Sequence, residues 1–265
     1  ECDAETHFIN FGIPNNHRPG NFPNKHSIES IKNKQFILSQ ISLENKLCCD
    51  ANVCFLVHVG KITIFKESIL PILNKWAIHN DRIRIFISFS KNLVNEKELK
   101  KCCTNIQCTI IDIINRGADI GGLLELCKFA TKKTLVNEYY IFLHTKSCPV
   151  WRNELLSVFT GTKLKKIDDT LKDSKNNIGI IGSKKYHKLM VNDSSRTEHE
   201  NNLTTLCNIF NIDTRFIYND DFSFIAGTIC FLRRDIVAFI CIHAEDVLKN
   251  LKEYTQFRPS GLDGH

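Results

Sequence analysis

From Asn52 onward the chain repeats one pattern: a short apolar run, a polar loop, then a stretch with helical spacing. Val53-Cys54-Phe55-Leu56-Val57 is uninterrupted by polar residues, which marks a strand buried on both faces, and it ends in His58, Gly60 and Lys61. Over 64–78, Ile69, Ile72, Leu73 and Trp76 recur at three-and-four spacing, the signature of one helix face, and Pro71 inside it predicts a kink or a later start. Residues 82–89 predict a second strand, 96–103 a short charged helix and 108–114 a third strand. A loop at 115–122, a helix at 123–134 and a fourth strand at 139–143 follow. Alternation at this pitch predicts a mostly parallel, Rossmann-type α/β sheet with helices on both faces.

Beyond the fourth strand, Leu155, Leu156, Val158 and Phe159 predict a helix ending near Gly161, and 163–173 another. Residues 177–182 predict a fifth strand, 183–202 a polar surface loop and 203–210 a helix. Residues 222–232 read as one strand with Ala226-Gly227-Thr228 in its middle, and 235–251 as a helix with an apolar face. Before all this, 1–50 is rich in Pro, Gly and Asn and then weakly helical, so it reads as an extension or linker to a single domain at 51–265.

Composition narrows the chemistry. With 43% hydrophobic and 24% charged residues among 265, the chain has ample material for a core. A net charge of +6 fits an anionic ligand such as a nucleotide diphosphate, and no basic block is dense enough to argue for nucleic acid. The twelve cysteines are dispersed, several of them within apolar runs (Cys54, Cys127, Cys230, Cys241), which predicts buried free thiols. Cys-Cys-x4-Cys occurs twice, at Cys48, Cys49, Cys54 and at Cys102, Cys103, Cys108, but without the Cys-x2-Cys pairs or close histidines of zinc sites. No apolar run reaches the roughly 18 residues a membrane span needs and no signal-like segment opens the chain, so the expectation is a cytoplasmic protein, peripheral to a membrane or part of a larger chain.

The polar residues that close each strand carry the functional expectation, because open parallel α/β sheets bind ligands at the carboxyl edge. After the third strand comes Asn115-Arg116-Gly117-Ala118-Asp119-Ile120-Gly121-Gly122; after the fourth, His144-Thr145-Lys146-Ser147 and then Trp151-Arg152. Together with the Asn-Ile-Gly-Ile-Ile-Gly run at 177–182 and Ala226-Gly227-Thr228, these resemble the rhamnan synthesis protein F family of glycosyltransferases over 53–265. That family carries an NRGRDIGP-type loop, an HTK-type strand end and an AGT-type late strand. The resemblance implies a GT-A-like fold and a polysaccharide-building enzyme that moves a sugar, rhamnose first, from a nucleotide-diphosphate donor to a glycan or glycoconjugate acceptor.

Such a transfer needs a nucleotide pocket, positive charge for the departing diphosphate and, where configuration inverts, a base for the acceptor hydroxyl. Many GT-A enzymes hold a divalent metal on an Asp-x-Asp pair after the fourth strand; here that place reads His144-Thr145-Lys146. Hard oxygen ligands are missing there. The preferred reading therefore requires no cofactor: Lys146, with His144 and Arg152, supplies the charge directly, and magnesium or manganese is the alternative. The resemblance implies donor binding by His58, Asn115, Arg116, Gly117, Asp119, Gly121, Ser147 and Arg152, acceptor contact by Gly227 and Thr228, and catalysis by Lys146, His144 and the late-loop carboxylate Asp263. The family motif around Asp263 continues beyond His265, so the domain reads as cut short at its carboxyl end. Structural readings stand beside these: a solvated Lys146, a satisfied strand-end His144, an Asp119 that caps a helix, and solvent-facing Asp220 and Asp221. Ala118 and Gly122 stand where the family shows Arg and Pro, which predicts a looser loop. The rival functions are transfer of a different sugar and a non-catalytic nucleotide-sugar or glycan-binding module.

Overall fold

The computed structural model describes residues 6–9, 52–79, 82–132, 139–159, 167, 170, 178–189, 196–215 and 223–253. Its elements are β1 (Thr6–Ile9), β2 (Val53–Val59), a helical run α1 (62–79), β3 (Arg84–Phe89), α2 (Glu96–Cys102), β4 (Thr109–Asp112), α3 (Ala118–Lys132) and β5 (Tyr139–His144). Then follow α4 (Pro149–Leu156), β6 (Ile180–Ser183), β7 (His187–Leu189), α5 (Arg196–Phe210), β8 (Ser223–Ile225), β9 (Cys230–Arg233) and α6 (Arg234–Asn250). Seven strands pair in the order β1-β6-β9-β5-β2-β3-β4, and β7 with β8 makes a separate antiparallel ribbon. The neighbours β5, β2, β3 and β4 run parallel; β9 opposes β5 and β6, and β1 opposes β6. The sheet is thus mostly parallel, as the strand-helix alternation predicts.

The alternation of side chains along a strand divides the core in two. Odd positions of β2 and β5 (Val53, Phe55, Val57, Ile141, Leu143) pack on Phe65, Ile69, Leu73 and Trp76 of α1, with Leu99 of α2 and Leu155 of α4. Even positions (Cys54, Leu56, Tyr140, Phe142) pack on Leu126, Cys127 and Ala130 of α3 and on Ile236 and Val237 of α6. Continuous apolar strands are required because both faces are covered. Cys54, Cys127 and Cys230 are buried free thiols in the second layer, and burial pushes the Cys230 thiol up to about 12. Cys103 and Cys207 are also buried, Cys102, Cys108 and Cys241 are half-buried, and Cys148 is exposed.

Several boundaries differ from the sequence-based expectation. The first helix starts at Ile62 and contains a π turn, Phe65–Ile69, immediately before Leu70 and Pro71. The wider turn answers the missing N–H and the ring clash of a mid-helix proline without ending the helix. The third strand stops at Asp112 and α3 begins at Ala118, so most of the expected loop is helix. α4 begins at Pro149, six residues ahead of Leu155, with proline in the first turn where its absent N–H is harmless. The expected loop at 183–202 holds a 3₁₀ turn (Lys184–Tyr186), β7 and the start of α5 at Arg196. The expected strand at 222–232 is broken into β8 and β9, because Gly227 (φ 98°) and Thr228 (φ 55°) take left-handed backbone that no strand accommodates. The expected helix at 163–173, apart from residues 167 and 170, lies outside the described residues, as do Asp220, Asp221 and Asp263. Among the described residues no helix is long and apolar enough to cross a membrane.

Candidate functional site

Three polar residues interrupt the apolar sheet in one row. His58 of β2 lies beside Ser88 of β3 on one flank and beside His144 of β5 on the other, at matched registers. All are buried, and all have the parity that places them on the α3 side. His58 Nδ1 and Ser88 Oγ are 3.0 Å apart. Burial first, and the neighbouring His144 second, lower the His58 pKa from 6.5 to about 4 against the opposing pull of Asp119, so His58 is a neutral imidazole near pH 7.

α3 approaches this row through its glycines. A Cβ on Gly122 would stand 2.4 Å from His58 Cγ, and one on Gly121 would strike the Arg116 carbonyl oxygen at 1.6 Å. Neither glycine lies in the loop expected at 115–122; both lie inside the helix, and Gly117 (φ 61°) makes the turn. Gly122→Ala should therefore destabilise the fold by about 1–3 kcal/mol through overpacking, against the ~1 kcal/mol that alanine gains in a helix. Urea unfolding reads it, and a midpoint equal to or above wild type would show that His58 has room to yield.

The first turn of α3 carries Asp119, which lies inside the helix rather than at its cap. Its Oδ2 accepts a short hydrogen bond from the Thr228 hydroxyl and lies 3.4 Å from His144 Nε2. That nitrogen is 2.7 Å from the Gly227 carbonyl oxygen, which can only accept, so Nε2 carries the proton. Burial works to raise the Asp119 pKa, but His144, the Thr228 hydrogen bond and the Lys146 charge together hold it below the usual carboxylate range. Residues assigned from the sequence to donor and to acceptor are here one hydrogen-bonded unit.

The loop after β5 supplies the positive charge. Thr145 Oγ1 accepts from the Gly60 and Lys61 amides at 2.8 and 3.1 Å, fastening the ends of β2 and β5 together. Lys146 Nζ stands 3.7 Å from the centre of the Trp151 ring, and among the described residues no carboxylate pairs with it. Arg152 of α4 is buried, and its Nη1 donates to the Lys146 and Ser147 carbonyls at 2.7 and 3.2 Å, so it shapes the loop from below. A Cβ on Gly227 would meet Leu155 at 2.6 Å and Trp151 Nε1 at 2.9 Å, which fixes the β8–β9 turn against α4.

Asn115 is buried just beyond β4, at the same carboxyl edge of the sheet as His58 and His144. Arg116 is directed elsewhere: it donates to the Leu248 carbonyl at 3.3 Å, pairs with Glu253, and so ties the loop to the end of α6, assisted by Gly117 N to Lys252 O at 2.9 Å. The sequence pattern gives Thr145 a place in the His-Thr-Lys motif but no role, and it does not single out Ser88. Ser88 is signalled only by a polar break in Ile85-Phe86-Ile87-Ser88-Phe89, whose register with His58 needs the sheet. Among the described residues no three His, Cys, Asp or Glu side chains gather as metal ligands. Comparison with family models, curated proteins and solved structures returns no match.

Proposed function

We propose that this chain is a GT-A-like glycosyltransferase, which moves a sugar from a nucleotide-diphosphate donor to a glycan or glycoconjugate acceptor and works in the cytoplasm or at its membrane face. The observation that carries the reading is the division of the carboxyl edge into two parts. One is a buried polar row, Ser88, His58 and His144, that supports Asp119 and Thr228; the other is a loop that holds an ammonium, Lys146, on an aromatic face with no carboxylate partner among the described residues. A nucleotide sugar needs both, hydrogen-bonding groups held in place for its hydroxyls and a cation for its diphosphate. The family resemblance of the motifs points to rhamnose as the sugar.

In this reading the acceptor hydroxyl attacks the anomeric carbon, the bond to the diphosphate breaks, and Lys146 offsets the charge that develops on the leaving oxygen. Asp263 remains the proposed base. Arg152 acts through the loop, because its Nη1 is engaged by two carbonyls. A thermal-shift screen with nucleoside diphosphates and nucleotide sugars tests the binding half: a ligand at 100 times its Kd stabilises by about 2.7 kcal/mol. Hydrolysis of the donor by the purified chain separates an enzyme from a binding module. No shift with any nucleotide or nucleotide sugar would overturn the proposal.

A further inference from the structure

Two turns meet at the carboxyl edge, and each holds a residue with a side chain in left-handed backbone: Ala118 (φ 49°) after Gly117, and Thr228 (φ 55°) after Gly227. Such backbone persists where surrounding contacts hold it, and it gathers at ligand sites. The contact that joins the turns is the Thr228 hydroxyl on Asp119 Oδ2, with His144 Nε2 3.4 Å from the same oxygen and 3.2 Å from the Thr228 hydroxyl. Asp119 keeps 31% of its side chain exposed, so a well-fixed carboxylate still faces the space above the sheet.

The partners decide what this group can do. Thr228 and His144 both stabilise the charged form, which makes a weak proton acceptor but a strong hydrogen-bond acceptor. A phosphate is the wrong partner, since it would meet the carboxylate charge to charge, whereas Lys146 has no carboxylate partner among the described residues and suits it. What suits an ionised, positioned carboxylate is a neutral O–H donor, and sugar rings present these in adjacent pairs. We infer that Asp119, positioned by Thr228, binds a hydroxyl pair of the ligand's sugar ring, either the ribose of the nucleotide or the transferred sugar. This rests on the nucleotide-sugar reading and specifies which end of that ligand lies over α3.

Calorimetry with UDP, 2′-deoxy-UDP, GDP, 2′-deoxy-GDP, dTDP and dTDP-rhamnose tests it on wild type, Asp119→Asn, Thr228→Val and Thr228→Ser. Loss of a hydrogen bond to a charged group corresponds to roughly a 10- to 100-fold weakening. If the ribose is bound, wild type should favour UDP or GDP over its 2′-deoxy form by that factor, and Asp119→Asn should erase the preference. If the transferred sugar is bound, the ribose and deoxyribose forms should bind alike, and Asp119→Asn should erase the advantage of dTDP-rhamnose over dTDP. Thr228→Val should lose part of the same preference and Thr228→Ser should restore it, which keeps the test open should Asp119→Asn fold poorly. Binding by wild type with every preference intact in Asp119→Asn or in Thr228→Val overturns this inference alone. Absence of all nucleotide binding in wild type overturns it together with the reading beneath it.

Discussion

Trp76→Ala should remove about 3–5 kcal/mol of stability, the range for truncating a buried aromatic side chain. Trp76 is 1% exposed on the inner face of α1, and its ring meets Phe55 of β2 edge-on, centroids 5.4 Å apart at 77°. Truncation loses the transferred area, the edge-to-face contact and the packing of a strand at the centre of the sheet, and leaves a cavity between two rigid layers that cannot collapse. Against a typical net stability of about 5–15 kcal/mol this is a large fraction. Guanidinium unfolding reads it as a lower midpoint at unchanged slope. Trp151 is the only other tryptophan, so fluorescence in the variant reports on the candidate site alone. A loss under about 1 kcal/mol would mean that the α1 layer is not packed as described.

Acid should destabilise the fold through His58. Its pKa is lowered from 6.5 to about 4 in the folded chain, so between those values the unfolded chain binds more protons and stability falls as pH drops. At 1.36 kcal/mol per pH unit, the contribution present at pH 7 shrinks by roughly 2–3 kcal/mol at about pH 4.5. Asp119, whose pKa is also lowered, adds a loss in the same direction but further into acid, below 3.8. Urea unfolding of wild type and His58→Gln at both pH values isolates the effect, because the other histidines are common to the two proteins. The pH dependence should be smaller in His58→Gln; equal dependence would show that His58 titrates normally in the fold.

The parallel half of the sheet was legible because strands buried on both faces are apolar at every position, as 53–57 and 139–143 are. Their polar ends marked the edge where His58, Asn115 and His144 lie. The period-two parity of residues 58 and 144 would also have placed both histidines on the α3 side. What stayed hidden depends on information no pattern carries. Ala226-Gly227-Thr228 lies between apolar residues, and nothing there announces positive φ at Thr228, so the turn that delivers its hydroxyl to Asp119 read as strand. Gly121 and Gly122 read as loop because glycine is a poor helix former; in the helix they stand where a Cβ would collide with the Arg116 carbonyl and with His58, a need for glycine that only the tertiary structure shows. Arg116 read as a ligand group because its true partners, Leu248 and Glu253, lie at the far end of α6. Polar composition concealed β7, which pairs with β8, and the first half of α5.

The central claim, that a lysine supplies the charge a metal would otherwise bring, is tested most directly by calorimetry with a nucleoside diphosphate, with and without a chelator, on wild type and Lys146→Met. Methionine keeps the stem over Trp151 and removes the ammonium, which separates charge from packing. The account predicts that wild-type binding survives the chelator and that Lys146→Met loses roughly 1.5–3 kcal/mol, the value of a hydrogen bond to a charged group. Binding that the chelator abolishes and that Lys146→Met leaves unchanged would contradict it.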